Sequence, residues 1–204
     1  MKYGDFTLTQ VQEVGRVIGG ARAVKKLLAG KLVVVPAEGW KPSREKKLGP
    51  ACAHRILPKT SHDPNAFFRS RGGMFVGHDF RARIVVAASP VRHNGPPVQM
   101  SCASLVDLWT SGRELLTLCP SGVFHATEFC TLLAVALESQ SGGQNGHLST
   151  ERPNLFLVEG VCNRVYIVRA SWRVEARKGQ GEWVVNAETL EKVFGANCKF
   201  FSRR

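Results

Sequence analysis

From Thr9 onward the apolar residues Val11, Val14, Val17, Ile18, Ala21, Val24, Leu27 and Leu28 recur at the spacing of one helix face, and that period predicts an amphipathic helix. Thr9 as N-cap with Gln12 three residues later has the form of a capping box, and Gly30 is placed to end the helix. Gly15, Gly19 and Gly20 weaken its middle by about 1 kcal/mol each relative to alanine, which favours a bend or a close neighbouring backbone. Leu32 to Val35 follows as a short apolar strand stopped by Pro36.

Residues 36–66 break this regularity. Pro36, Gly39, Pro42, Gly49, Pro50, Pro58 and Pro64 interrupt any long element, so the stretch is expected to be a long basic loop or irregular connection, with at most one helical turn at Ser43 to Lys47. A loop of about 30 residues exceeds the roughly 15 found in most compact domains and is the kind of segment that carries function.

Period-2 patterns dominate beyond it. Phe80, Ala82, Ile84, Val86 and Ala88 alternate with Arg81 and Arg83 and predict a strand. Tyr166, Val168, Ala170, Trp172, Val174 and Ala176 form one face of a longer strand, opposed by Ile167, Arg169, Ser171, Arg173, Glu175 and Arg177. A turn at Lys178 to Gly181 then returns the chain as the hairpin partner Glu182 to Asn186. Met74 to Val76, Leu155 to Val158 and Cys198 to Phe201 are further short strands. Three helices are expected: a broken one over Cys102 to Leu118 interrupted at Ser111-Gly112, a buried one over Ser121 to Ser139, and a short one at Glu188 to Val193. The whole predicts a single compact α+β domain over residues 1–204, an N-terminal amphipathic helix packed on a mixed or mainly antiparallel sheet with a buried helix near residues 121–139.

Composition sharpens this picture. The chain of 204 residues is long enough to bury roughly two-thirds of its unfolded surface without disulfide or metal support. Its 28 Lys and Arg against 16 Asp and Glu leave a net charge of +12, which directs it toward anionic partners. Residues 1–50 and 51–100 net +6 and +5, residues 101–150 net −3 and residues 151–204 net +4. The opening residues lack the charged lead and apolar stretch of a signal peptide, and no apolar run approaches the roughly 20 residues of a membrane span. A cytoplasmic protein is expected, with Cys52, Cys102, Cys119, Cys130, Cys162 and Cys198 as reduced thiols.

No motif for a cofactor or for catalysis emerges. Gly15 to Gly20 lies within a predicted helix rather than after a strand, so no dinucleotide or phosphate loop is expected and no cofactor is assigned. Cys52, His54, His62, Asp63, His78 and Asp79 are ligand types, but their spacing matches no zinc frame. They are expected to be ordinary loop residues, with no metal assigned. His125 and Glu128 suit a local polar contact, Ser121 a helix cap, and Cys130 an inert core thiol. Cys52 has Lys47, His54 and Arg55 nearby to activate its thiol. A small thiol-dependent or metal-dependent enzyme using Cys52, His54 and His62 is therefore one alternative.

Phosphate contact has the broadest support. Lys41, Arg44, Lys46, Lys47, Arg55, Lys59, Arg69, Arg71, Arg81 and Arg83 supply positive groups, and Trp40, Phe67, Phe68, Phe75 and His78 supply rings on which unpaired bases stack. Arg71-Gly72-Gly73 suits a basic turn, and Arg169, Arg173 and Arg177 would add a row on one strand face. RNA or single-stranded DNA is the expected partner, since no duplex-reading helix is visible. The other alternative is a non-enzymatic accessory subunit with a protein partner in a ribonucleoprotein or other complex.

Overall fold

The computed structural model describes residues 48–56, 62–91, 98–106, 110–140, 146–174, 181–196 and 198–203. All of them fall within one compact unit, Glu45–Arg204. The predicted N-terminal helix, the Leu32 to Val35 strand and the turn at Ser43 to Lys47 lie outside the described residues.

In chain order the strands are β1 (Cys52–Ile56), β2 (Met74–Val76), β3 (Val98–Ser104), β4 (Thr110–Ser111), β5 (Phe124–His125), β6 (Asn154–Glu159), β7 (Val165–Val174), β8 (Gly181–Glu188), β9 (Val193–Phe194) and β10 (Lys199–Arg203). The helices are α1 (Pro64–Phe67), α2 (His78–Arg83), α3 (Gly112–Leu118) and α4 (Ala126–Ser139). One mixed sheet runs β1-β3-β10-β6-β7-β8-β2, with β5 also paired to β6. Its β10–β6, β5–β6 and β2–β8 pairings are parallel and the rest antiparallel. β4 and β9 form a separate antiparallel pair. The α+β expectation with a mixed sheet is met in this unit.

The unbroken apolar run of β6 explains its central place. A strand apolar at consecutive positions must be covered on both faces. Phe156 and Val158 enter one apolar cluster, with α4, while Leu155 and Leu157 enter a second with Leu115 of α3. Helix α4 lies within the 121–139 stretch expected as a buried helix, and Phe129, Cys130, Leu132, Leu133, Ala134 and Ala136 are fully buried on it. Each fully buried Leu or Phe contributes about 1.5–3 kcal/mol over its exposed state. β7 keeps the alternation expected of it, with Val168 and Ala170 in the larger cluster and Arg169 and Arg173 on the other face. It pairs with β8 so that Trp172 faces Trp183.

Four expectations are corrected. Phe80 to Ala88 is not a strand: α2 occupies His78–Arg83 and a 3-10 turn occupies Val85–Ala87. Burial of Phe80, Ile84, Val85 and Ala88, with Val86 68% exposed, follows helical spacing, and Asp79 pairs with Arg83 one turn later at 3.4 Å. Within 36–66, Cys52–Ile56 is a strand, at the edge of the sheet among the described residues, obscured in sequence because only Ile56 of its five residues is buried. Cys102 lies in β3, and the helix of that stretch begins only after Ser111. There Ser111 accepts from the Glu114 N–H and Glu114 Oε2 accepts from the Ser111 N–H at 2.8 Å, a capping box. Glu188 ends β8 and Val193 begins β9, in place of the last short helix.

Rings knit the larger cluster together. Phe67, Phe68, Phe80, Phe129, Phe156 and Phe201 form a continuous series with successive centroids 4.9, 5.1, 6.4, 5.1 and 4.9 Å apart. Such pairs contribute about 0.5–1.5 kcal/mol each beyond the area they bury. The row links α1, near one edge of the sheet, to β10, two strands from the other.

Candidate functional site

The β2 edge is built locally. Asp63 accepts the Asn65 N–H at 2.9 Å and Pro64 opens α1, which fixes Phe67 and Phe68 on successive helical positions. After them the backbone of Arg71 and Met74 exchanges two hydrogen bonds of 2.9 Å around Gly72-Gly73. Gly73 has φ +79°, a left-handed conformation that only glycine adopts without strain. The Ser70 hydroxyl accepts the Val76 N–H at 3.0 Å and locks this turn to β2. In consequence the Arg71 guanidinium lies 4.7 Å over the Phe67 ring. It forms one wall of a 230 Å³ cleft with Phe67, Met74, Leu137, Glu138 and Trp183. Phe75, on the opposite face of the same edge strand, is 46% exposed.

Of the other arginines assigned to phosphate contact, Arg69 donates to the Asn65 carbonyl at 3.1 Å and Arg81 is exposed in the last turn of α2. Arg83 is held otherwise, between Asp79 and the Tyr166 ring. Arg55 is on β1, across the full sheet order from β2, roughly 29 Å away at the ordinary strand spacing. Trp40, Lys41, Arg44, Lys46, Lys47 and Lys59 lie outside the described residues. The expected row on β7 is neutralised, since Arg173 pairs with Glu182 and Arg169 with Glu188; Arg177 is outside the described residues.

At the opposite edge Cys52 and His54 do come together, by strand geometry rather than by a loop. Residues two apart on a strand share a face, and the β1–β3 register sets Cys102 opposite Cys52. β10 adds Phe201 opposite Cys102 and Lys199 opposite Ser104, with Lys199 Nζ donating to Ser104 Oγ at 2.9 Å. The 146–151 segment closes the far side, bringing the His147 ring to 5.8 Å from that of His54. These groups, with Ser149, Thr150 and Glu151, surround a cavity of 420 Å³. Burial lowers the pKa of His54 from its ordinary 6.5, and the positive charges of His147 and Lys199 lower it further. Burial raises that of Cys102 and keeps its thiol protonated.

His62 does not join this cleft. It is 5% exposed, bridges to Val91 and packs against Phe67 and Phe68. Among the described residues no three His, Cys, Asp or Glu side chains converge to hold a metal ion. Two smaller expectations also change. His125 pairs with Glu159 at 2.8 Å and Glu128 with Arg203 at 3.1 Å, not with each other. Ser121 sits in a 3-10 turn, and His125 is the N-cap residue of α4. Cys130 is a core thiol, its pKa driven up by burial. No sequence signal singled out His147 or Lys199, because their neighbours in space are distant in the chain.

No family model, no curated protein and no solved structure matches this chain. Among the described residues no helix is long and apolar enough to cross a membrane.

Proposed function

We propose that the protein binds single-stranded nucleic acid, RNA or DNA, along its β2 edge, with Arg69, Arg71 and Arg81 on phosphates and Phe67 and Phe75 offering ring surface to bases. The observation that carries this reading is the Arg71 guanidinium, unpaired among the described residues and stacked on the Phe67 ring beside a cleft. Four of the six described arginines of the later chain are matched by carboxylates, Arg113 with Glu191, Arg169 with Glu188, Arg173 with Glu182 and Arg203 with Glu128, whereas Arg152 and Arg164 enter no ion pair among the described residues. Arg69, Arg71 and Arg81 enter no ion pair among the described residues, and Arg71 lies stacked on an aromatic ring beside a cleft. Unneutralised guanidinium groups beside ring surface are the elements that hold a single strand without reading its sequence. The unit that contains them carries 20 Lys and Arg against 13 Asp and Glu, so long-range attraction acts in the same direction.

The test is a salt titration of binding to a short labelled single-stranded RNA. Each single-strand phosphate contact contributes about −0.7 to the slope of log K against log salt. Replacing Arg69, Arg71 and Arg81 by alanine together is expected to reduce the slope by about 2 and to weaken binding roughly tenfold to hundredfold at low salt. Arg113→Ala and Arg173→Ala, which remove charges already paired, should leave the slope unchanged. Equal effects from both sets, or binding that ignores salt, would sink the proposal. A stable protein complex that survives nuclease and is untouched by the triple change would favour the accessory-subunit alternative.

A further inference from the structure

We propose that the cleft at the β1 edge is a second, separate site that binds the dianionic head of a phosphomonoester between His54, His147 and Lys199. The site does not depend on the β2-edge reading and is tested apart from it.

The three groups come from β1, β10 and the 146–151 segment, so their meeting is a product of the sheet register and of the segment that Leu148 ties to Gln140, and not of local sequence. Lys199 is pinned by Ser104 Oγ at 2.9 Å and His54 is braced by the Phe201 ring, 5.9 Å from its own. Preorganised donors of this kind bind without a large ordering cost. His54 faces Cys52 on its own strand, Met100 and Cys102 on β3, Lys199 and Phe201 on β10, and His147 and Glu151 across the cavity. Glu151 is the one carboxylate lining it among the described residues, and it is exposed. Cys102 adds no negative charge, because burial keeps it a thiol.

Burial first, and then repulsion from His147 and Lys199, makes His54 give up its proton more easily than usual. A dianion placed among them reverses that balance: it favours protonated His54, so binding takes up a proton. Two negative charges and three terminal oxygens suit a phosphate head better than a carboxylate, with the Ser149 and Thr150 hydroxyls available as additional donors. The 420 Å³ cavity is larger than such a head requires and lies in the range of small-molecule sites, which leaves space for the organic part of an ester.

The experiment follows the histidine ring resonances of the whole chain by NMR. Sulfate serves as a probe whose charge is constant across the range, and ribose 5-phosphate as the ester. Both should move the His54 and His147 signals saturably and raise the titration midpoint of His54. Sulfate affinity should increase as pH falls from about 8 to 5 through the histidine range. Lys199→Met should weaken sulfate binding about tenfold or more, as loss of a charge-assisted hydrogen bond does. His147→Gln, on a segment outside the sheet, provides the same readout if the Lys199 variant folds poorly. Glu151→Gln should tighten binding. Ribose 5-phosphate should bind more tightly than inorganic phosphate if the cavity holds the organic part. A single strand carrying a 5′-phosphate should gain over its 5′-hydroxyl counterpart only if strand ends are the natural source. His54 signals unmoved by tens of millimolar sulfate, or equal affinity in the Lys199 and His147 variants, would overturn the site. Ribose 5-phosphate no tighter than inorganic phosphate would overturn its assignment to an ester.

Discussion

The two edges of the sheet carry similar charge on opposite principles. At β2 the basic group and its ring come from five consecutive positions, Phe67 to Arg71, held by one capped turn of helix and one glycine turn. At β1 the basic groups come from positions 54, 147 and 199: the pairing of β1 with β3 and of β3 with β10 brings His54 and Lys199 to one cavity, and the 146–151 segment, tied through Leu148 to Gln140, adds His147. A locally built site stays intact as long as its turn does. A site assembled from distant strands exists only while the register does, since a one-residue slip turns every side chain to the other face. The first sets guanidinium groups and rings beside a small cleft along a strand, which suits a polymer. The second is a cavity with its lysine tied down, suited to one small anion.

That difference is broken most forcefully from the core. Phe68 is fully buried beneath Phe67 and contacts Phe80 at 5.1 Å. Phe68→Ala should cost about 3–5 kcal/mol in chemical denaturation, the usual penalty for emptying an aromatic site. If the fold survives, single-strand binding at the β2 edge should fall while sulfate binding at the β1 edge is retained. Equal loss at both would mean that they share one support.

The same contrast accounts for what could be read from the chain. β6, α4 and the β7–β8 pair were legible because burial imposes its period on consecutive residues: Leu155 to Val158 must be covered on both faces, and Tyr166 to Val174 alternate. The Arg71-Gly72-Gly73 turn was legible for the same local reason. The stretch from Phe80 to Ala88 misled because Phe80, Ile84 and Ala88 satisfy a period of 2 as well as one near 4. Only the exposure of Val86 and the Asp79–Arg83 pair distinguish the helix. β1 was hidden because an edge strand with one buried residue leaves almost no apolar pattern. His54 was visible as a candidate, and His62 was grouped with it in one alternative by proximity in sequence. The structure instead places His62 in the aromatic core and supplies His147 and Lys199, which no spacing rule connects to position 54.

A smaller effect sharpens the β1 side. His54 has a folded-state pKa below its ordinary 6.5, caused first by burial and then by His147 and Lys199. Folding therefore favours the neutral ring. The stability this confers is complete above the unfolded value and is lost as pH falls from about 6.5 through the lower folded value. Thermal unfolding without added anion should show a melting temperature that declines over that window, with the decline reduced in His54→Gln. Added sulfate should also reduce it, by favouring the protonated ring. A decline unaffected by either change would locate its source elsewhere. Arg69, Arg71 and Arg81 at the β2 edge add nothing to this dependence, since arginine stays charged throughout.

The smallest expected effect asks whether the edges communicate at all. A continuous row of rings runs from Phe67 through Phe80 and Phe129 to Phe201, and His54 lies 5.9 Å beyond its end. Contiguity alone does not transmit binding energy; a row couples two sites only if it has two arrangements and both ligands bias the choice. Five of these six rings are fully buried, on backbones fixed by the end of α1, by α2 and α4 and by strands β6 and β10, and close packing leaves little room for a second arrangement. The sites should therefore be independent. In a cycle of Arg71→Ala, Lys199→Met and the double variant, stability changes should add within about 0.5 kcal/mol, as for separated residues. Saturating sulfate should leave the single-strand affinity of the wild type unchanged once ionic strength is matched. A coupling well above that limit, abolished by Phe129→Leu, would show that the aromatic row joins the two edges into one device.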